Sequence, residues 1–207
     1  MTQGALQPDN ALQQAGLQNF EHQAEDFELY LLTSTSLLRL HSLQPLQELN
    51  EALGSSNIYL PGRVNQSSGQ DPSALCLAPS EWLLFSEYLV PGLLQSQLQE
   101  AIDPGRTALL DQNSAFAVLR LSGPVAPRVL EKCAGLDWRT AMGAGAHCCR
   151  TLLQQIPAIV HYHQPGSGSG PYVFDVIMER SLARHGWQVL LEKLPHAREL
   201  HQRHGSR

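Results

Sequence analysis

The sequence predicts an α+β protein built from a duplicated strand-helix-strand unit, with antiparallel sheets that carry helices on one face. The main observation is an internal repeat. "LLRLHSLQPLQELNEALG" (37–54) and "VLRLSGPVAPRVLEKCAG" (118–135) both run through a strand, a Pro-containing turn, a helix and a closing Gly. Each is followed by further strands and a second amphipathic helix. We therefore predict one domain over 26–195, with halves at about 27–104 and 105–195.

Composition excludes several classes of protein. The chain has 207 residues, 43% of them hydrophobic, and no apolar run approaches the roughly 20 residues that span a bilayer. Its amino terminus lacks a basic region followed by an apolar core, which predicts a cytoplasmic protein without a secretory signal. The formal charge is −5 and no Lys/Arg cluster is present, so nucleic acid is not an expected partner.

The first half of the chain begins with a leader and continues as strands and a helix. Residues 1–25 are rich in Gln, Asn and Ala, which predicts a flexible leader with order beginning near Phe27. The segment 27–43 has the composition of two short strands around a turn at "TSTS". A helix is predicted from Pro45, in its first turn, to Gly54, just past its end.

A hairpin is predicted from "LCLAPSEWLLF" (75–85), in which a Pro-Ser turn joins two apolar strands. Alternation along the second strand places Trp82 and Leu84 on one face and Leu83 and Phe85 on the other. Core packing is one interpretation of the tryptophan. The other is that it fills the seam between the two halves, or between this chain and a partner.

The remaining elements follow the same plan. We predict loops, strands and helices from turn residues, alternation and amphipathic spacing. The predicted segments are a loop at 57–74, a helix at 90–102 with Leu93, Leu94 and Leu98 on one stripe, a strand at 115–123, a helix at 124–135 closed by Gly135, two strands in 146–163 separated near Pro157, a flexible Gly-Ser loop at 164–171, a strand at 172–179, a helix at 181–194 capped by Ser181, and a disordered tail at 196–207.

Two histidines are the candidate metal ligands. His161 and His163 are two residues apart on a strand, so their side chains point the same way, and His147 or Cys149 could be a third ligand. Without a fixed metal-site spacing, exposed histidines on a strand edge explain the pattern, and we expect no metal. The four cysteines have no CxxC spacing and are expected to be reduced thiols, although the vicinal pair Cys148 and Cys149 could be redox-active.

The sequence contains no catalytic signature. "SGP" at 122–124 lacks the glycines and the lysine of a phosphate loop, and "GAGAH" at 143–147 is not a dinucleotide fingerprint. There is also no GxSxG elbow. We therefore predict no catalytic residues and can name no cofactor-binding residues.

Four stretches together resemble a known family. They are "LAPSEWLLF" (77–85), "GRTALLDQNSAFAVLRLSGPVAPRVLEKCAGLD" (105–137), "CCRTLLQQIPAIVHYH" (148–163) and "YVFDVIMERSLARHGWQVLLEKL" (172–194). In this order they resemble the gamma subunit of heterotetrameric sarcosine oxidase, over roughly residues 27–194. That family is related to the folate-binding domain of the glycine-cleavage aminomethyltransferase superfamily. The resemblance implies that fold, with two interlocked, ferredoxin-like halves.

The resemblance also implies a function. The family's bacterial enzyme oxidatively demethylates sarcosine to glycine and forms peroxide and methylene-tetrahydrofolate. Its larger subunits hold the flavins, the NAD and the tetrahydrofolate, so this chain is expected to be a non-catalytic accessory subunit that binds no cofactor. Its expected partners are the large flavin-bearing subunit and the other subunits of such a complex.

A stand-alone binder of a folate-like molecule is the alternative hypothesis. A pterin ring needs a carboxylate to accept from its N–H groups and an aromatic ring to stack on. The candidate carboxylates are Asp137, Asp175 and Glu81, and the candidate rings are Trp82 and Tyr162.

Overall fold

The computed structural model describes residues 20–89, 92–143, 145, 147–163 and 172–205. Its strands in that part of the chain are β1 Glu21–Ala24, β2 Phe27–Leu32, β3 Ser36–Ser42, β4 Ser67–Ser68, β5 Ser73–Ala78, β6 Glu81–Ser86, β7 Thr107–Asp111, β8 Phe116–Ser122, β9 Cys148–Leu153, β10 Ile156–His163 and β11 Val173–Glu179. Its α-helices are α1 Leu46–Leu53, α2 Leu93–Ala101, α3 Ala126–Ala134, α4 Trp138–Gly143 and α5 Ala183–Gly205. No helix of the described residues is long and apolar enough to cross a membrane.

The strands form two antiparallel sheets whose strand orders repeat. The five-stranded sheet has the order β4-β5-β6-β3-β7, and the six-stranded sheet has the order β9-β10-β11-β8-β2-β1. Strand β2 leaves the first half to pair with β8, and β7 leaves the second half to pair with β3. Each half thus donates its first strand to the other half's sheet, which confirms the predicted intertwined duplication.

The two sheets pack face to face and each carries helices on its outer face. One core lies between the six-stranded sheet and helices α3 and α5, and a second lies between the five-stranded sheet and helices α1 and α2. A third core lies between the sheets and includes Leu37, Phe85, Val118 and Ile177. The predicted antiparallel sheets with helices on one face are confirmed.

The predicted hairpin at 75–85 is confirmed as β5 and β6. Trp82 and Leu84 face the helices, whereas Leu83 and Phe85 face the other sheet. The Trp82 indole Nε1 donates a hydrogen bond of 2.9 Å to the carbonyl oxygen of Pro61. The expectation that Trp82 fills the seam between the halves, or a partner interface, is wrong, because the ring is buried on the helix side of its own sheet.

Both chain ends are ordered further than the sequence predicts. Residues 21–24 of the expected flexible leader form β1, which pairs with β2. The expected disordered tail at 196–207 is wrong as far as Gly205, because α5 continues to that residue. Arg198 explains the longer helix, since its guanidinium donates hydrogen bonds of 2.8 and 2.5 Å to the two carboxylate oxygens of Asp26.

The ends of several helices and strands differ from their predicted positions because of the turns that follow them. Gly54 lies just past the end of α1, as predicted, but it begins a 3₁₀ turn, and Asn57 after that turn is in the left-handed conformation. The turn between β9 and β10 lies at Gln154 and Gln155, both with positive φ, so that Pro157 lies inside β10 rather than between the strands. Gly135 does close α3, with φ 62°.

Other outcomes concern single elements. Leu94 and Leu98 of α2 are buried but Leu93 is exposed. Ser181 lies in a 3₁₀ turn before α5 and does not cap it. Strand β7 and helix α4 were not predicted, and the Gly-Ser loop at 164–171 lies outside the described residues.

Gly123 permits the close approach of two strands and offers a test of the fold. Its φ is +110°, and a Cβ there would lie 2.5 Å from the carbonyl oxygen of Asp26. We expect Gly123→Ala to lower the free energy of unfolding by about 2 kcal/mol or more, measured by urea denaturation. Gly54→Ala is the matched control, because its Cβ meets nothing within 4 Å and its φ is negative. Equal effects of the two substitutions would contradict the close approach of Gly123 to Asp26.

Candidate functional site

A buried charge network lies between the two sheets around Asp175. The carboxylate of Asp175 is 0% exposed and accepts two hydrogen bonds from Arg120, of 2.7 Å from Nε and 3.0 Å from Nη2. Arg120 Nη1 also donates to Glu87 Oε2 at 2.6 Å. His163 Nε2 lies 2.5 Å from Asp175 Oδ2. Because Glu87 follows the end of β6, this network connects the two sheets.

Strand register brings these side chains together. Asp175 on β11 lies opposite Arg120 on β8 on one side and opposite His161 on β10 on the other. His161 in turn lies opposite Cys148 on β9. Directly opposed residues of neighbouring strands point to the same face of a sheet. A polar row therefore crosses the inter-sheet face, and sequence reasoning missed it because the sequence does not show which strands pair.

The surroundings of Asp175 and His161 hold them in fixed charge states. Burial alone would raise the pKa of Asp175, but the hydrogen bonds and charges of His163 and Arg120 outweigh burial and lower it to about 2. Burial lowers the pKa of His161 to about 3, with a further lowering from the neighbouring His163. Near neutral pH, Asp175 is therefore a carboxylate and His161 is a neutral imidazole.

The two candidate metal ligands lie together as predicted, but the expectation of exposed histidines on a strand edge is wrong for His161, which is 3% exposed on β10 between β9 and β11. His161 and His163 point the same way, with ring centroids 4.3 Å apart, and each offers a ligand atom within 4.8 Å of the other and of Asp175. Cys149 is not the third member, because it lies on the opposite face of β9 from Cys148 and packs on the helix side.

The donor set around Asp175 is nevertheless unfavourable for a cation. Both oxygens of Asp175 accept from the guanidinium of Arg120, whose positive charge would face a bound metal ion. The hydrogen bonds from Arg120 and His163 to Asp175 explain, without a metal ion, why these side chains lie together. The absence of a metal stays a prediction.

The cysteines are free thiols, as predicted for Cys76, Cys133, Cys148 and Cys149. Cys148 lies between the sheets and Cys149 on the helix side, so the vicinal pair does not share one environment. Burial raises the pKa of Cys148 to about 12 and that of Cys149 to about 11. Since the thiolate is the reactive form, this environment does not favour redox chemistry at the pair.

The residues proposed for a folate-like ligand do not converge. Asp175 is buried under Arg120, and Asp137 is exposed where it accepts hydrogen bonds from Thr140. Trp82 and Tyr162 both pack on the helix sides of their sheets. The third carboxylate, Glu81, accepts from Arg39 and Arg150 between the sheets, so neither it nor Asp175 faces the two rings.

A second charge network lies at the other end of the inter-sheet layer. Arg39 on β3 donates to Glu81 Oε1 at 3.1 Å from Nε and 2.8 Å from Nη2, and Arg150 on β9 also donates to Glu81 Oε1. Burial alone would raise the pKa of Glu81, but the two arginines outweigh it and lower the pKa. Glu81, at the start of β6, thus connects the sheets as Glu87 does after its end.

A cavity of about 510 Å³ lies between the sheets beside this second network. Arg39 and Arg150 line it together with apolar side chains from both sheets, among them Leu83, Phe116 and Ile177. Volumes of this order are typical of small-molecule sites. The cavity and the two networks together make up the candidate functional site.

The internal repeat contained a signal for this site. When 37–54 is set against 118–135, Arg39 falls on the same position as Arg120. An arginine in the middle of a buried strand needs a counterion, and its recurrence in both halves marks the inter-sheet face.

The fold is similar to those of two solved proteins. One is a chain of the heterotetrameric sarcosine oxidase from Corynebacterium sp. U-96, solved in complex with pyrrole 2-carboxylate, with a TM-score of 0.73, 23% identity, and coverage of 94% of this chain and 97% of that chain. The other is the glycine cleavage system aminomethyltransferase T from Bartonella henselae, with a TM-score of 0.55, 18% identity, and coverage of 79% of this chain and 45% of that chain.

These similarities confirm the predicted resemblance at the level of the fold. The chain has the fold of a sarcosine oxidase chain and of an aminomethyltransferase domain. It spans less than half the length of the aminomethyltransferase. No protein-family model and no curated protein sequence matches it.

The buried pair of Arg120 and Asp175 gives a prediction about stability. Asp175→Asn removes the charge that neutralises Arg120 without changing the side-chain size. We expect it to lower the free energy of unfolding by about 3–5 kcal/mol, measured by urea denaturation. Glu48→Gln is the matched control, because its carboxylate lies 3.7 Å from Arg106 at the surface, and it should cost less than about 1 kcal/mol. Similar costs for both variants would show that the network contributes no more than a surface ion pair.

The low pKa of His161 gives a prediction about pH. In the unfolded chain His161 has a pKa of 6.5 and binds a proton below that pH. In the folded chain it binds the proton only near pH 3. The free energy of unfolding should therefore fall with decreasing pH in this window, by up to about 1.4 kcal/mol per pH unit from this group. His161→Gln should lose that part of the slope in urea unfolding between pH 6.5 and 4.5. Parallel profiles of the two proteins would rule out a buried, neutral His161.

Proposed function

We propose that this chain is the gamma-type accessory subunit of a heterotetrameric flavoenzyme that oxidises sarcosine. The observation that carries the proposal is the match of the fold over almost the whole length of both chains to a chain of such an enzyme. A nearly complete match in both directions favours an equivalent subunit over a shared domain within an unrelated architecture.

The titratable groups of the site agree with an accessory role. General acids and bases work best with a pKa near the operating pH. The shifts at Asp175 and His161 move both groups away from neutral pH, and the raised pKa values of the cysteines disfavour a thiolate nucleophile. The inter-sheet networks therefore support a binding and structural role for this chain.

The expected arrangement of the complex follows from this role. The flavin, NAD and tetrahydrofolate would be bound by partner subunits, and this chain would stabilise them by binding only their folded forms. The cytoplasm stays the expected compartment.

The stand-alone folate-like binder is the weaker candidate. Asp175 and Glu81 lie on the inter-sheet face, whereas Trp82 and Tyr162 lie on the helix sides, and Asp137 accepts hydrogen bonds from Thr140 of α4. Titration calorimetry of the isolated chain with reduced folate tests it directly, since heat of binding would support the alternative.

Affinity purification of the full chain from its own cells tests the proposal. We expect a tagged chain to recover a flavin-bearing subunit in stoichiometric amount, identified by its mass and its flavin absorbance, and the recovered complex to oxidise sarcosine. The isolated chain should show no such activity with added flavin. Recovery of the chain alone, or activity of the isolated chain, would contradict the accessory role.

A further inference from the structure

We propose that the cavity between the sheets binds a small amphipathic monocarboxylate, with Arg39 and Arg150 holding the carboxylate and the apolar walls holding the body of the molecule. The inference stands on the cavity alone and does not depend on the chain being an oxidase subunit. It adds a ligand site to a chain that is expected to bind no cofactor.

The walls of the cavity select an apolar body. Leu77 and Leu83 come from the five-stranded sheet, and Phe116, Ile159 and Ile177 from the six-stranded sheet. These side chains lie on the inner faces of the sheets, where the inter-sheet core continues away from the cavity. Apolar walls with few polar groups are typical of small-molecule sites, and the polar groups fix the orientation of the ligand.

The charged groups at the cavity are two arginines and two carboxylates, but in the described part of the chain only Glu81 is paired with the arginines. Two guanidinium groups, from Arg39 and Arg150, share one oxygen of Glu81. Their side chains are 43% and 42% exposed, so the remaining N–H donors are accessible. No other hydrogen bond of these two arginines within the described part of the chain engages those donors. A ligand carboxylate would accept hydrogen bonds from these donors, in the planar, forked geometry that guanidinium groups offer to carboxylates.

Glu179 limits the charge of the ligand. It lies exposed on the lining of the same cavity, at the end of β11. A second ligand carboxylate that approached Glu179 would be repelled by it, because like charges at short range disfavour binding. The cavity therefore selects a monocarboxylate over a dicarboxylate of the same length.

Titration calorimetry with three eight-carbon probes tests the proposal. We expect octanoate to bind the full chain with a sub-millimolar dissociation constant, of the order that a small ligand reaches. Octanamide, which has the same body without the charge, and octanedioate, which has a second carboxylate, should each bind at least about tenfold more weakly. No heat with octanoate, or equal affinity for octanoate and octanamide, would overturn the proposal.

Matched arginine variants locate the site. Arg39→Met and Arg150→Met should each weaken octanoate binding at least about tenfold. The second variant keeps the test possible if the first fails to fold. Arg106→Met is the control, because this arginine is similarly exposed at 47% but lies outside the cavity lining. Thermal unfolding without ligand establishes that each variant is folded. An unchanged octanoate affinity in folded Arg39→Met and Arg150→Met would place binding elsewhere and overturn the proposal.

Discussion

Face-to-face packing of the two sheets decides where charge can lie in this protein. A charge enclosed between the sheets loses hydration, so it persists only where a counterion lies beside it. Strand β6 provides that counterion at both ends of the layer, through Glu81 at its start and Glu87 just after its end. The six-stranded sheet provides Arg150 and Arg120, β3 of the five-stranded sheet adds Arg39, and the apolar core occupies the space between the two networks.

Duplication explains why the layer has two charged ends, and divergence explains why they differ. Arg39 and Arg120 are equivalent in the repeat, yet Arg120 faces Asp175 across the strand pair whereas Arg39 faces Leu83. Arg120 is therefore neutralised within its own sheet by a buried carboxylate. Arg39 reaches diagonally to Glu81, which it shares with Arg150, and this leaves accessible donors beside the cavity. One end of the layer is closed by its own hydrogen bonds, and the other retains donors for a ligand.

Much of the fold could be predicted from the sequence because local patterns report local structure. The repeat, the hairpin at 75–85 and the facing of Trp82 and Leu84 follow from alternation and turn residues. Which strands the two halves exchange, β2 and β7, could not be predicted, because the exchange depends on pairing between distant segments. The same limit concealed the row from Arg120 to His161. The sequence showed His161 and His163 on one face. Only the pairing of β10 with β11 shows that Asp175 lies beside them, where it forms hydrogen bonds with His163 and Arg120.

The fold alone does not decide between a catalytic and an accessory role, since one fold can host many functions. The physical state of the polar groups is more informative. A side chain that transfers protons must change its charge near the working pH, and burial together with fixed partners removes that freedom from Asp175 and His161. At the cavity end, by contrast, Arg39 and Arg150 are 43% and 42% exposed and retain N–H donors beyond those that Glu81 engages. The chemistry of this chain is therefore best sought there, as recognition of a ligand rather than as turnover.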